Sequence, residues 1–292
     1  MFIAESIANL RKEVWALKPA RIAFVPTMGY LHEGHVSLVH LARKFADKVV
    51  VSIFVNPSQF NKSEDLEKYP RDLPRDLALL RAAETDGVFI PTPEMIYGAG
   101  YQSWVNLTEL TKPLEGTFRP GHFQGVTTVV SILFNIVQPD FAVFGEKDFQ
   151  QLRVIERMVE DLKFPIQIVR GPLIRDPDGL AMSSRNVRLG PEARGRALGI
   201  SRGLRKAQAA FKKGEAKSSV LESIAQNELN DPAIKIEYIT VADEATLSAV
   251  EIVSGPARIL VALEVGGVRL IDNSAIYFQA DRSIYTHSHN NE

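Results

Sequence analysis

Up to about residue 170, apolar positions follow two alternating patterns. Short unbroken runs occupy residues 22–25, 49–55, 88–90, 141–144 and 166–169, rich in Val, Ile and Phe and without polar alternation. Runs of this kind suit strands covered on both faces. Between them, apolar residues recur at helical spacing over 3–17, 35–46, 74–85, 125–137 and 148–162. Pro74 fits the first turn of its helix, where a missing N–H costs nothing. Strands alternating with helices predict a mostly parallel sheet with right-handed crossovers, a Rossmann-like, doubly wound α/β architecture.

The rhythm changes near Gly171. Arg175-Asp-Pro-Asp-Gly179 is a turn signal. Two helical stretches follow, 191–213 and 216–229, and then strand-like runs at 235–241, 258–265 and 268–277. Gly266-Gly267 between the last two predicts a hairpin. The expected division is a nucleotide- and substrate-binding domain over 1–173, a smaller α+β lid domain over 174–281, and a polar tail over 282–292.

Composition narrows the function classes. The 34 basic residues against 35 acidic ones leave a formal charge of -1, which gives no global attraction to nucleic acid or an anionic membrane. A phosphate ligand needs only a local basic patch. With no cysteine, disulfides, thiolate metal sites and a cysteine nucleophile are excluded. The stretch 1–17 mixes Glu5, Arg11, Lys12 and Glu13 with apolar residues, so it reads as an amphipathic helix and not a signal peptide. No apolar run is long enough for a membrane span. A cytoplasmic protein is expected.

The candidate chemistry lies where predicted strands end. Pro26 stops the first run, and Gly29 and Gly34 follow, with His32 and His35 three apart at a helix start. In open α/β sheets ligands bind beyond the carboxyl ends of strands, and free N–H groups at helix starts favour phosphate. Surface turn histidines are the plainer reading. A zinc site would need a third ligand and different spacing. Asn56 and Gln59 leave the next strand and are expected to face the same crevice, although a simple strand-exit turn explains them too. In Arg119-Pro-Gly-His122, either Arg119 or His122 would pair with an anion, or the segment is a solvated loop. Gly145-Glu-Lys-Asp148 ends a further strand. There Asp148 with Gln151 reads as a capping box, while Lys147 offers a charge to phosphate and Asp148 an oxygen to Mg²⁺. Met182-Ser-Ser-Arg185 is either a polar loop or a strip of hydroxyls and one guanidinium closing on a triphosphate.

His32-Glu-Gly-His35 resembles the histidine signature of class I aminoacyl-tRNA synthetases, and the Met182 segment loosely resembles their lysine–serine signature. The ordered set of motifs goes further. Pro26-Thr-Met-Gly29, His32-Glu-Gly-His35, Phe54-Val-Asn-Pro57 with Gln59-Phe60, Tyr69-Pro-Arg-Asp72, Arg119-Pro-Gly-His122, Phe144-Gly-Glu-Lys-Asp148 with Gln150-Gln151, and Met182-Ser-Ser-Arg-Asn186 together resemble the pantothenate synthetase (pantoate–β-alanine ligase) family of the nucleotidyltransferase-like superfamily. The motif agreement covers about residues 20–190. The C-terminal third agrees only in general character.

The resemblance implies a ligase that joins (R)-pantoate and β-alanine through a pantoyl-adenylate, with release of pyrophosphate and AMP. It implies ATP contacts from Met28, Gly29, Tyr30, Leu31, His32, Glu33, Gly34 and His35, from Gly145, Glu146, Lys147 and Asp148, and from Ile174, Met182, Ser183, Ser184 and Arg185. His35, His32 and Lys147 would be catalytic, with His35 the usual proton donor. Gln59, Gln151 and Asn56 would form the pantoate and β-alanine pocket. Mg²⁺ would accompany ATP, held in part by Asp148, and the protein would be a homodimer acting on small molecules. A nucleotidyltransferase of the same superfamily explains the histidines but needs no pocket built from two glutamines. A nucleotide sensor has no use for that pocket either. The chain is short for a tRNA synthetase and shows no basic extension for tRNA.

Overall fold

A computed structural model describes residues 1–276 of the 292-residue chain. Six strands form one sheet: β1 (Phe2–Ala4), β2 (Ile22–Thr27), β3 (Lys48–Ile53), β4 (Gly87–Phe89), β5 (Phe141–Gly145) and β6 (Gln167–Gly171), in the spatial order β1-β4-β3-β2-β5-β6. Every pairing is parallel. From β2 the chain lays β3 and then β4 to one side. It returns to lay β5 and β6 on the other side. The order therefore reverses between β2 and β5, and such a reversal opens a crevice beyond the strand ends.

Alternate residues of the central strands enter different cores, as the two-residue strand period requires. Phe24 and Val50 pack with Val126, Val130 and Phe134 of α7 (His122–Val137) and with Leu152 and Ile155 of α8 (Phe149–Asp161). Ala23, Val25, Val49 and Val51 face the other way, onto Val39 of α2 (Glu33–Ala42) and Leu80 of α4 (Leu73–Ala82). Helix α1 (Ile7–Ala16) adds Leu10 and Val14 to the first core, capped by Ser6, whose hydroxyl accepts the Asn9 N–H. Burying one large apolar side chain here contributes about 1.5–3 kcal/mol. Three short helices, α3 (Ser63–Glu67), α5 (Pro93–Ile96) and α6 (Glu115–Phe118), punctuate the connections.

Beyond β6, α9 (Pro191–Lys212) and α10 (Ser218–Asn227) cover an antiparallel sheet of β7 (Ile234–Asp243), β8 (Ala257–Val265) and β9 (Val268–Ala275). Its core is built from residues such as Leu204, Leu221, Ile259 and Leu263. Gly266 and Gly267, both at positive φ, turn β8 into β9 as their sequence predicts.

The differences from the sequence reading are local. The expected helix over 3–17 begins as β1, which pairs with β4, and only then becomes α1. A three-residue edge strand carries too little pattern to stand out. Helix α2 starts at Glu33, two residues ahead of the expected start, and α7 starts at His122, three ahead. The stretch 146–148 is a 3₁₀ turn, so α8 begins at Phe149. Asp148 makes no capping hydrogen bond there, and the expected capping box with Gln151 does not form. Tyr277, at the end of the last expected strand, and the tail 282–292 lie outside the described residues.

Candidate active site

The crevice between β2 and β5 is a cleft of about 220 Å³. Its walls include Met28, His32, Gly34 and His35 from the end of β2 and start of α2, and Asn56 and Gln59 from beyond β3. Gly145, Lys147, Asp148 and Gln151 come from beyond β5, and Ile174, Met182, Ser183, Ser184 and Arg185 from beyond β6. Side chains from four separate strand ends thus meet in one cleft.

Gly29, Tyr30, Leu31, Glu33 and Glu146 are not among the residues that line the free cleft. Glu33 is exposed on α2, and Leu31 is buried behind the wall. The turn through Gly29 to Leu31 is shaped by a residue that sequence reasoning missed. Asp76 on α4 is buried, and its two carboxylate oxygens accept the N–H groups of Tyr30 and Leu31, each at 2.7 Å. Burial raises the Asp76 pKa in spite of those bonds. No local pattern flagged it, because its partners lie more than forty positions away.

The two histidines form a unit. His32 precedes α2, and its backbone N–H donates to Nδ1 of His35 at 3.3 Å. The rings lie 4.1 Å apart between centroids. A Cβ on Gly34 would stand 2.9 Å from the His32 ring, so glycine lets that ring fold over the helix start. Burial first, and then the nearby Lys147 ammonium, push the His32 pKa down from 6.5 to about 4. Burial, His32 and Lys147 hold His35 well below its ordinary value. At neutral pH both rings are therefore uncharged in the free cleft. They offer N–H hydrogen bonds, and the expected protonated His35 would need the negative charge of a bound polyphosphate to raise its pKa.

Asn56 and Gln59 meet as expected, but Asn56 is spent on the protein. Its amide donates to Gln59 Oε1 at 3.0 Å and to the Gly125 carbonyl at 3.2 Å. Its oxygen accepts from Ser58 Oγ at 2.9 Å and Tyr97 Oη at 2.8 Å. With all its capacity used, Asn56 braces Gln59 and leaves no amide group for a ligand. The Gln59 amide donates to Met28 Sδ at 3.2 Å. A Cβ on Gly125 would lie 2.5 Å from the Ser58 carbonyl oxygen, so only glycine lets α7 come this close.

Arg119 and His122 line the same cleft. The Arg119 guanidinium is 3.2 Å from His122 Nε2, and His122 Nδ1 is 2.8 Å from the Gln59 carbonyl. Guanidinium only donates, so Nε2 accepts and Nδ1–H donates to the carbonyl. Burial, then Arg119, push the His122 pKa down to about 3, consistent with this neutral form.

The Met182 strip is tied down on several sides. Ser184 Oγ donates to the Tyr30 carbonyl at 3.1 Å. Arg185 donates to Asp65 at 2.8 Å and lies over the Tyr69 ring, and Arg188 shares the same carboxylate at 3.0 Å. Tyr69, whose role the motif left open, is thus a buried platform for Arg185.

Lys147 Nζ stands 3.7 Å from Asp148 Oδ2. Asp148 is the one carboxylate among the described walls, and among the described residues no three His, Cys, Asp or Glu side chains gather as a metal cage. This donor set fits a Mg²⁺ that arrives on nucleotide phosphates and takes one carboxylate and waters. It does not fit a metal held by protein alone. No helix among the described residues is long and apolar enough to cross a membrane.

Comparison with known proteins gives a consistent result. The family model described as pantoate-beta-alanine ligase matches residues 2–275. The chain is 48% identical over 276 residues to pantothenate synthetase of Thermoanaerobacter pseudethanolicus, covering 94% of this chain and 98% of that protein. It superposes on the crystal structure of pantothenate synthetase from Thermus thermophilus with a TM-score of 0.91 and 44% identity, covering 95% of this chain and all of that one. A pantoate-beta-alanine ligase from Francisella tularensis, complexed with beta-gamma ATP and beta-alanine, gives 0.79 and 35% identity, covering 94% of this chain and 97% of that one. The likeness runs through β9, well past the stretch 20–190 that carries the motifs. The C-terminal sheet is mostly apolar packing, which leaves few chemical signatures to read.

Proposed function

The chain belongs to the pantoate–β-alanine ligase family, and from that premise we propose how its cleft works. The reaction is the ATP-dependent condensation of pantoate with β-alanine to pantothenate. A carboxylate oxygen of pantoate attacks the α-phosphorus of ATP and pyrophosphate leaves. The β-alanine amine then attacks the acyl carbon, and AMP leaves with the bonding electrons of the acyl–oxygen bond.

The first step brings two anions together, and positioning can supply about 7–11 kcal/mol of such a barrier. Gln59 and Gln151 hold pantoate, with Asn56 bracing Gln59. Lys147 and Arg185 stabilise charge on the α-phosphate and the leaving pyrophosphate. His32 and His35 donate N–H bonds to phosphate oxygens, and a bound polyphosphate raises their proton affinity so that His35 acts as proton donor. Mg²⁺, with Asp148 as its carboxylate ligand, would neutralise phosphate charge when bound. No covalent nucleophile is required, in keeping with the absence of cysteine. The observation that carries this reading is the convergence of His35, Lys147, Gln59 and Gln151 on one cleft at the sheet's switch point.

Residues 1–173 form the ATP- and pantoate-binding unit in this proposal, and 174–281 a lid that keeps water from the adenylate. A contiguous core of the second unit's own supports that division. The resemblance also supports a homodimer. Sedimentation at twice the 32.4 kDa chain mass would bear it out, and a monomer would refute it.

The test of the chemistry is pyrophosphate exchange. With ATP, Mg²⁺ and pantoate, labelled pyrophosphate should enter ATP only when pantoate is present. Added β-alanine should then release AMP in step with pantothenate. Exchange that ignores pantoate would reject the adenylate.

A further inference from the structure

The dipeptide Asp272-Asn273 on β9 belongs to the C-terminal sheet, yet the Asn273 side chain reaches the turn that carries Lys147. The Asn273 side chain, 4% exposed, donates from Nδ2 to two successive backbone carbonyls, Glu146 at 3.0 Å and Lys147 at 2.9 Å. Its Oδ1 accepts from Arg258 at 2.6 Å. Arg258 lies 3.9 Å over the ring of Phe149, the first residue of α8, and pairs with Glu244 at 3.1 Å. The neighbouring Asp272 carboxylate is buried, takes both terminal nitrogens of Arg175 at 2.6 and 3.0 Å, and accepts the Asn273 N–H at 2.7 Å. Arg175 adjoins Ile174, which lines the cleft.

We infer that Asn273 is a positioning residue for the adenylation step, fixing the 146–148 turn so that the Lys147 ammonium points into the cleft. This rests on the role proposed for Lys147. The turn is a single 3₁₀ segment between β5 and α8, and no side-chain cap stabilises its junction with the helix. Two carbonyls pinned by one amide fix the orientation of the peptide planes on either side of the Lys147 Cα. Lysine is a flexible point charge, so its placement depends on a rigid backbone. Asp272, through Arg175, fixes the 174–175 segment from the same strand. One strand of the second sheet thereby sets the spacing between two walls of the ATP side of the cleft.

A double-mutant cycle tests this. Asn273→Ala should lower kcat for pantoate-dependent pyrophosphate exchange by up to about 10²-fold, as a misplacement near 1 Å can do, with KM for pantoate changed less than about twofold. The isosteric Asn273→Asp keeps the shape and the acceptor for Arg258 but loses both donors. It should show the same defect, and it replaces the alanine variant if that one does not fold. The double variant with Lys147→Ala should be no slower than Lys147→Ala alone, because removing the lysine leaves nothing to position. Losses that multiply, or wild-type kcat in a folded Asn273 variant beside a dead Lys147→Ala, would overturn the inference and leave the role of Lys147 standing. An active Lys147→Ala would overturn both.

Discussion

At the scale of single residues, the site depends on groups whose charge state is set by what surrounds them. The family resemblance makes His35 the proton donor, with His32 beside it. In the free cleft, burial and Lys147 keep both neutral. Their part in the reaction begins when phosphate charge arrives. His35→Ala and Lys147→Ala are each expected to slow turnover with pantoate and ATP by about 10²-fold or more, the cost of losing one charge-stabilising donor. Circular dichroism and the unfolding midpoint should change little. Near-wild-type turnover in either variant would sink the assignment. Asn56 carries the complementary lesson. Its place in the pocket was legible from the strand end, but its amide is consumed by Gln59, Gly125, Ser58 and Tyr97.

At the scale of elements, the cleft is built by close approaches between segments distant in sequence. The 56–59 turn lies against α7 because Gly125 has no side chain. Gly125→Ala would press a methyl group against the Ser58 carbonyl, and overpacking of this kind costs about 1–3 kcal/mol. The expected result is a lower urea midpoint together with a raised KM for pantoate, since Gln59 moves with the turn. An unchanged KM in the folded variant would show that the turn does not set the substrate pocket. Most elements were legible because their apolar periods are clean. Those missed were short or capped unexpectedly. Strand β1 has three residues, α3, α5 and α6 have four or five, and the 146–148 turn has an Asp that does not cap.

At the scale of the whole molecule, the second sheet is bound to helix α6 of the first unit by buried charge. Arg269 on β9 donates to both oxygens of Glu115 at 2.7 Å, and Tyr238 Oη adds a third bond at 2.7 Å. Burial alone would raise the Glu115 pKa, but Arg269 outweighs it and holds the group down to about 2. Stability should therefore fall on the acid side in two legs. His32, with folded pKa about 4, and His122, with about 3, take up protons near 6.5 once unfolded. The unfolded state then holds more protons below 6.5, and stability drops as pH falls from there toward 4. The Glu115 contribution is present above 4.5 and is lost as pH falls toward 2. Urea midpoints at about pH 7.5 and about pH 5 should differ, and His122→Gln should shrink that difference. A slope unaffected by this change would show that His122 is not buried neutral.

The sequence by itself determined the parallel sheet, the strand ends that carry chemistry, and the family, because apolar period and short ordered motifs are local properties of the chain. Only the tertiary structure decided which of those residues reach the cleft, that the histidines stand neutral, that Asp76 and Asn273 hold the site from far along the chain, and that Arg269 ties the second sheet to Glu115. Burial and long-range hydrogen bonds set these, and neither exists until distant segments pack together.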